Sequence, residues 1–178
     1  MTLINRTLTQ SMVDDSKLRS AVGSADLYNG NLVVLATLSA TEGQGEVWTA
    51  TRPESGTLVG VWMVAEPEVV VTYSGSYALK GLDPDPRNFV IKSGSVFRAF
   101  KPMIGDIIEL DEAAIATGTG SGAAYAVVTA ATYYITNAAA AVTGLSLRRI
   151  GTGYVSLGIG SLGSTQRVVM GKFVVEVE

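Results

Sequence analysis

The stretch Asn29-Gly30-Asn31-Leu32-Val33-Val34-Leu35-Ala36-Thr37-Leu38 decides the fold class. Asn-Gly marks a tight turn because both residues tolerate positive φ, and here it opens directly into an apolar run with β-branched Val33, Val34 and Thr37. The same phrase recurs downstream. Gly43-Gln44-Gly45 turns into Glu46-Val47-Trp48-Thr49-Ala50-Thr51, and Arg52-Pro53-Glu54-Ser55-Gly56 turns into an apolar run over 58–64. Further strands are expected over 68–73, 95–100 and 107–110, the last entered through Gly105-Asp106. Residues 74–95 read as loop-rich, because Pro84 and Pro86 lack the N–H that a central strand needs. This rhythm of short strands and turns predicts a mainly β protein built on a β-barrel or sandwich body.

Toward the C-terminus, residues 116–123 are a Gly/Thr/Ser/Ala tract that reads as a hairpin tip or hinge. Residues 125–135 are expected as one strand. Residues 145–150 and 154–157 are expected as two short strands parted by Gly151 and Gly153. A strand run over 166–170 is followed by a final one over 172–178, which places Phe173, Val175 and Val177 on one face and Glu176 and Glu178 on the other. Upstream of the deciding stretch, residues 11–22 predict a short helix. Ser11 is its N-cap, Asp14 and Asp15 sit in the first turn, Lys17 and Arg19 come later, and Gly23 stops it. The organisation read from the chain is an N-terminal arm with this helix over 1–28, a β-barrel-like body over 29–112, and an Ala/Gly-rich β segment over 113–178. The last is part of the same domain or a second lobe.

Composition narrows function by exclusion. The 178 residues are 47% hydrophobic and 16% charged, with a net charge of −3, no Cys and no His. Disulfides, thiolate metal sites and any nucleophile that relies on imidazole are therefore impossible, and a zinc site is not expected. The acidic balance and scattered basic residues argue against nucleic acid, since Arg148-Arg149 alone is no phosphate-binding footprint. The start, Met1 to Thr7, carries no apolar core of a signal peptide. The most apolar window, 123–142, is too rich in Thr, Tyr and Asn for a membrane span. Neither a cofactor nor a membrane partner is expected.

The remaining catalytic option is paired carboxylates. Asp14/Asp15, Glu66/Glu68, Asp83/Asp85 and Asp111/Glu112 are available. A two-carboxylate hydrolase needs its acids set apart across a cleft, which adjacency in sequence does not supply, and solvated acids are the commoner role. Asp83-Pro84-Asp85 lacks the further ligands of a calcium loop, and Gly118-Thr119-Gly120-Ser121-Gly122 lacks the Gly-Lys-Ser/Thr of a phosphate loop. No catalytic, cofactor or metal residue is assigned, and the chain reads as a non-enzyme. Trp48 and Trp62 lie on neighbouring expected strands, where aromatics serve more often as core or interface anchors than as ligand platforms.

The phrases Tyr28-Asn29-Gly30-Asn31-Leu32-Val33-Val34-Leu35, Gly45-Glu46-Val47-Trp48-Thr49-Ala50-Thr51-Arg52-Pro53, Val61-Trp62-Met63-Val64-Ala65-Glu66-Pro67-Glu68 and Phe97-Arg98-Ala99-Phe100-Lys101-Pro102-Met103-Ile104-Gly105-Asp106 follow one another in the chain. Over roughly residues 27–112, this order resembles the small proteins that decorate or cement the heads of tailed bacteriophages. The resemblance implies a β-rich body on the outer surface of the capsid, bound to the major capsid protein and commonly trimeric. On that expectation the contact residues are Leu3, Ile4, Met12, Val13 and Leu18 of the arm, with Trp48 and Trp62 as further anchors. Residues 1–22 would then be removable without unfolding the body. Two other readings stand beside it. One is a tail or head–tail joining subunit. The other is a carbohydrate-binding module using Tyr73, Tyr77 or the two tryptophans.

Overall fold

In the computed structural model, the Asn29-Gly30 turn forms as its dipeptide demands. Residues 4–9, 14–41, 43, 45–66, 71–73, 79–82, 89–112, 115, 123–157 and 166–178 are described. Gly30 takes φ 83°, and its N–H donates to the Val64 carbonyl at 2.8 Å. The buried Asn29 amide clamps the facing chain, donating to the Glu66 carbonyl and accepting from the Glu66 N–H, each at 2.8 Å. Strand β3 (Leu32–Leu38) leaves this turn over the span expected.

β3 belongs to a closed five-stranded barrel with β2 (Leu18–Gly23), β4 (Trp48–Thr51), β5 (Trp62–Val64) and β8 (Val96–Phe100). The strands run in the order β2-β4-β3-β5-β8, and β8 pairs back onto β2. Only the β2–β4 pair of the barrel is parallel. Alternation along the strands sends Ala21, Val33, Ala50, Val64, Phe97 and Ala99 to the barrel interior, where Leu27 and Ile91 join them. The opposite faces of β3, β5 and β8 carry Leu32, Met63 and Phe100, all fully buried. These wall strands are thus apolar on both sides, because something packs against the outside of the barrel.

That second layer is a six-stranded antiparallel sheet. It contains β1 (Ile4–Leu8), β9 (Ile107–Asp111), β10 (Tyr125–Val127), β11 (Thr136–Ala138), β12 (Ser146–Leu157) and β13 (Gln166–Val177), in the order β1-β9-β13-β12-β10-β11. Ile108, Leu110, Ala126, Leu147, Phe173 and Val175 come from the sheet and meet Leu32, Met63 and Phe100 from the barrel wall in one cluster. A separate two-stranded sheet pairs β6 (Val71–Tyr73) with β7 (Leu79–Leu82). The mainly β architecture and the barrel expected from the turn-and-strand rhythm are therefore present.

Three local expectations are corrected. The helix over 11–22 is reduced, among its described residues, to a 3-10 turn at Asp15–Lys17. Asp14 caps it by accepting the Ser16 N–H at 2.9 Å. Leu18–Gly23 is instead a strand, because β4 and β8 offer it ladder partners on both sides. Residues 1–22 therefore include most of a strand that is paired on both sides within the barrel. The single strand over 125–135 is in fact β10 and β11, joined by a loop. Ala131 breaks it at φ 60°, its N–H donating to the Pro53 carbonyl, while the Tyr133 carbonyl accepts the Leu32 N–H. Docking onto the barrel thus overrides the β propensity of that segment. Finally, 145–150 and 154–157 form one twelve-residue strand. Gly151 and Gly153 are absorbed by pairing with β13, with a register shift between Arg149 and Gly151.

The arm and the body do not separate along the two layers. β1 pairs with β9 in the sheet, whereas β2 lies in the barrel. Of the span 74–95 read as loop-rich, Leu79–Leu82 is strand β7 and residues 74–78 and 83–88 lie outside the described residues, as do residues 116–122 of the tract read over 116–123.

Candidate functional site

Two surface features gather side chains that the packing of the core does not use up. The first is one mouth of the barrel. Arg19 precedes Ala21 by two residues on β2, Trp48 precedes Ala50 on β4, Trp62 precedes Val64 on β5, and Leu35 follows Val33 on β3. All four share the parity of interior residues, so they form the last inward-facing layer at one end. Together they line a depression of about 250 Å³. Trp48, Trp62 and Leu35 are half-buried and pack against the interior cluster. The Arg19 guanidinium lies 5.8 Å from the centre of the Trp62 ring, within cation–π range. Its Nη1 donates to the Leu18 carbonyl at 2.7 Å. Among the described residues, no carboxylate forms an ion pair with Arg19.

The flank of this mouth is basic. Ser20 pairs with Arg98, and the two line an adjoining depression of about 140 Å³ with Leu18 and Arg19. One rung further, the Lys101 N–H donates to the Lys17 carbonyl at 2.9 Å. Four of the thirteen basic residues of a net acidic chain thus lie on or directly beside the β2–β8 pair, Arg19 and Arg98 within it and Lys17 and Lys101 just beyond its ends. Beyond the other ends of β2 and β4, a wider depression includes Arg52, but there Glu54 pairs with it at 2.7 Å.

The second feature is the outer half of the β12–β13 hairpin. At about 3.3 Å per residue, strands of this length reach about 40 Å. Near the body, Leu147 pairs with Val175 and Arg149 with Phe173, both pairs facing inward. Past the bulge, the same face of β13 continues through Gly171, Val169 and Arg167, opposite Thr152, Tyr154 and Ser156. There Tyr154 is 55% and Val169 44% exposed. Arg167 stacks on Tyr154 with its guanidinium carbon 3.6 Å from the ring centre. The reverse face buries Val168 and Met170 against Val155.

Several of the acids considered for catalysis are held by structural partners, while Asp15 is exposed in the 3-10 turn. Asp14 caps the 3-10 turn, and Glu66 accepts the Arg98 N–H at 2.8 Å. Asp111 is buried in β9, and Glu112 pairs with Arg149 at 2.5 Å. Arg148 and Arg149 point to opposite faces, Arg148 bonding Glu176. The Arg148 guanidinium holds the Glu176 carboxyl below its usual range, and Glu176 in turn pushes the Tyr125 hydroxyl up. Glu68, Asp83 and Asp85 lie outside the described residues, which contain no cluster of three or more acids suited to a metal ion.

Of the expected contact residues, the structure brings Trp48 and Trp62 together in the mouth. Leu18 is half-buried against the main core, and Ile4 is paired to Leu110 in the sheet. Leu3, Met12 and Val13 lie outside the described residues, as does Tyr77; Tyr73 ends β6. Arg19 went unrecognised because a helix over 11–22 hides its two-residue spacing from Ala21. Tyr154 and Val169 were hidden by reading β12 as two pieces. No protein-family model matches the chain, and no match is found among curated proteins or among solved structures.

Proposed function

We propose that the protein is a virion structural subunit that decorates and stabilises the outer surface of a tailed-phage head by binding the major capsid protein, as a homo-oligomer with three copies favoured. The observation that carries this reading is the β12–β13 hairpin. Its core-facing side runs on past the body as an exposed surface bearing Tyr154, Val169 and Arg167. Tyrosine and arginine on a rigid strand are what protein interfaces enrich. The phage-head resemblance over residues 27–112 supplies the partner, and a chain without His or Cys suits a role that rests on contact area.

The test is co-sedimentation of the purified protein with empty heads. Wild type is expected to saturate the heads, and Tyr154→Asp combined with Val169→Asp to lower occupancy at least tenfold without changing thermal stability. Unchanged occupancy of the double variant would remove the hairpin from the interface. Wild type that never binds heads but binds tails would make the chain a tail or joining subunit. The carbohydrate reading draws on the paired tryptophans. Among the described lining residues, however, no carboxylate or amide stands ready to take sugar hydroxyls.

A further inference from the structure

We infer that the barrel mouth is a specific pocket for an acidic, apolar segment of a partner protein, one that presents a carboxylate beside an aromatic or branched side chain. The inference rests on the reading of the chain as a subunit that binds other proteins, and it names the chemistry of one contact.

The mouth has two halves with different demands. Trp48, Trp62 and Leu35 offer an apolar wall, and a depression of about 250 Å³ lies below the ~300–1,000 Å³ typical of drug-sized ligand sites. It admits one bulky side chain and leaves the rest of its owner outside. Arg19 forms the rim. Its guanidinium lies within cation–π range of Trp62, and the bond to the Leu18 carbonyl anchors it through one of its five N–H groups. The remaining fork suits a carboxylate, which accepts two parallel N–H bonds.

The surroundings favour the same sign of ligand. Arg98 stands on β8, Lys17 and Lys101 lie just beyond the paired ends of β2 and β8, and among the described residues no carboxylate lines either depression, the Glu66 carboxylate beside Arg98 being engaged by its N–H. Hydrogen bonds from Ser16, with smaller help from the Lys17 and Arg19 charges, hold the Asp14 carboxyl below its ordinary range, so this nearby carboxylate is already engaged by the 3-10 turn. A neutral glycan would leave this charge unanswered. A half-buried arginine on an apolar wall gains more from a desolvated carboxylate than an exposed pair would.

Trp48 and Trp62 are the only tryptophans in the chain, so their two indole N–H resonances in the ¹⁵N-labelled full-length protein report on this site alone. The probe is the blocked peptide acetyl-Ser-Phe-Asp-Ser-amide, with its Asp-to-Asn twin and a glucuronate disaccharide as comparisons. Both indole signals are expected to shift saturably with the acidic peptide. Affinity should fall at least tenfold for the Asn twin, for Arg19→Gln and at high salt. Arg19→Lys keeps the charge but loses the fork, and should bind with intermediate affinity. Indole signals unmoved at millimolar peptide, or moved equally by the Asn twin, overturn the inference. So does a response to the glucuronate alone, which would make the mouth a glycan site. Heads separate this outcome from the function itself. If Arg19→Gln loses the peptide but saturates heads, the mouth is not the head contact, while the decoration reading stands. If wild type binds the peptide but not heads, decoration fails and the mouth survives.

Discussion

Single atoms decide several positions in this fold. At Gly144, φ is 107°, and an added Cβ would lie 2.3 Å from the Leu58 carbonyl oxygen. Backbone faces backbone there, so neither side can yield. Gly144→Ala is expected to cost more than about 2 kcal/mol in urea unfolding, through both strain and overlap. A Cβ added at Gly171 would lie 2.5 Å from the ring of the fully buried Phe173, and Gly171→Ala should cost about 1–3 kcal/mol. Charge is legible at the same scale. Asp26 bonds the Lys92 ammonium at 2.8 Å and the Ser93 N–H at 2.9 Å, and these hold its carboxyl below the ordinary range. A depressed folded pKa stabilises above the unfolded value of about 3.9 and is lost as pH falls through the folded one. The stability gap between wild type and Asp26→Asn should therefore be full at neutral pH and close in acid. A gap that widens in acid would contradict this pairing.

Elements were read best where local chemistry and tertiary partners agree. β3 follows an Asn-Gly turn and opens with Leu32 and Val33 buried on opposite faces, so turn, propensity and burial all point the same way there. The Gly105-Asp106 turn behaves likewise, with Gly105 at φ 94° and the Asp106 carboxylate accepting the Met103 N–H at 2.9 Å. The segment 18–23 is the opposite case. Its charges suit a helix, yet two neighbouring strands claim its backbone. Because β2 closes the barrel between β8 and β4, deletion of residues 1–22 should abolish the near-ultraviolet circular dichroism of Trp48 and Trp62. Retention of that signal would mean that the barrel closes without β2.

At the scale of the whole molecule, two apolar clusters share the wall strands β3, β5 and β8. One lies inside the barrel and the other between barrel and sheet. Phe97 and Phe100, three residues apart on β8, serve one cluster each. Truncating either to Ala should cost about 3–5 kcal/mol. Both variants should still unfold in a single transition by fluorescence and by circular dichroism, because neither cluster can be lost without the shared strands. Two separated transitions would show that the layers fold independently.

Composition and turn spacing alone determined that this is a mainly β chain with no imidazole or thiol chemistry. Those properties depend on residue types and near neighbours, which any reader of the sequence can see. The two tryptophans could be singled out on neighbouring strands as candidate anchors. What only the tertiary structure decided is which residues share a face. Strand pairing turned a charged helix-like segment into β2 and so carried Arg19 to the mouth beside Trp48 and Trp62. A bulge in β12 then swapped the parity that sets Tyr154 beside Val169. Side chains alternate with period two, so pairing register, a long-range property, chooses the surface that each one meets.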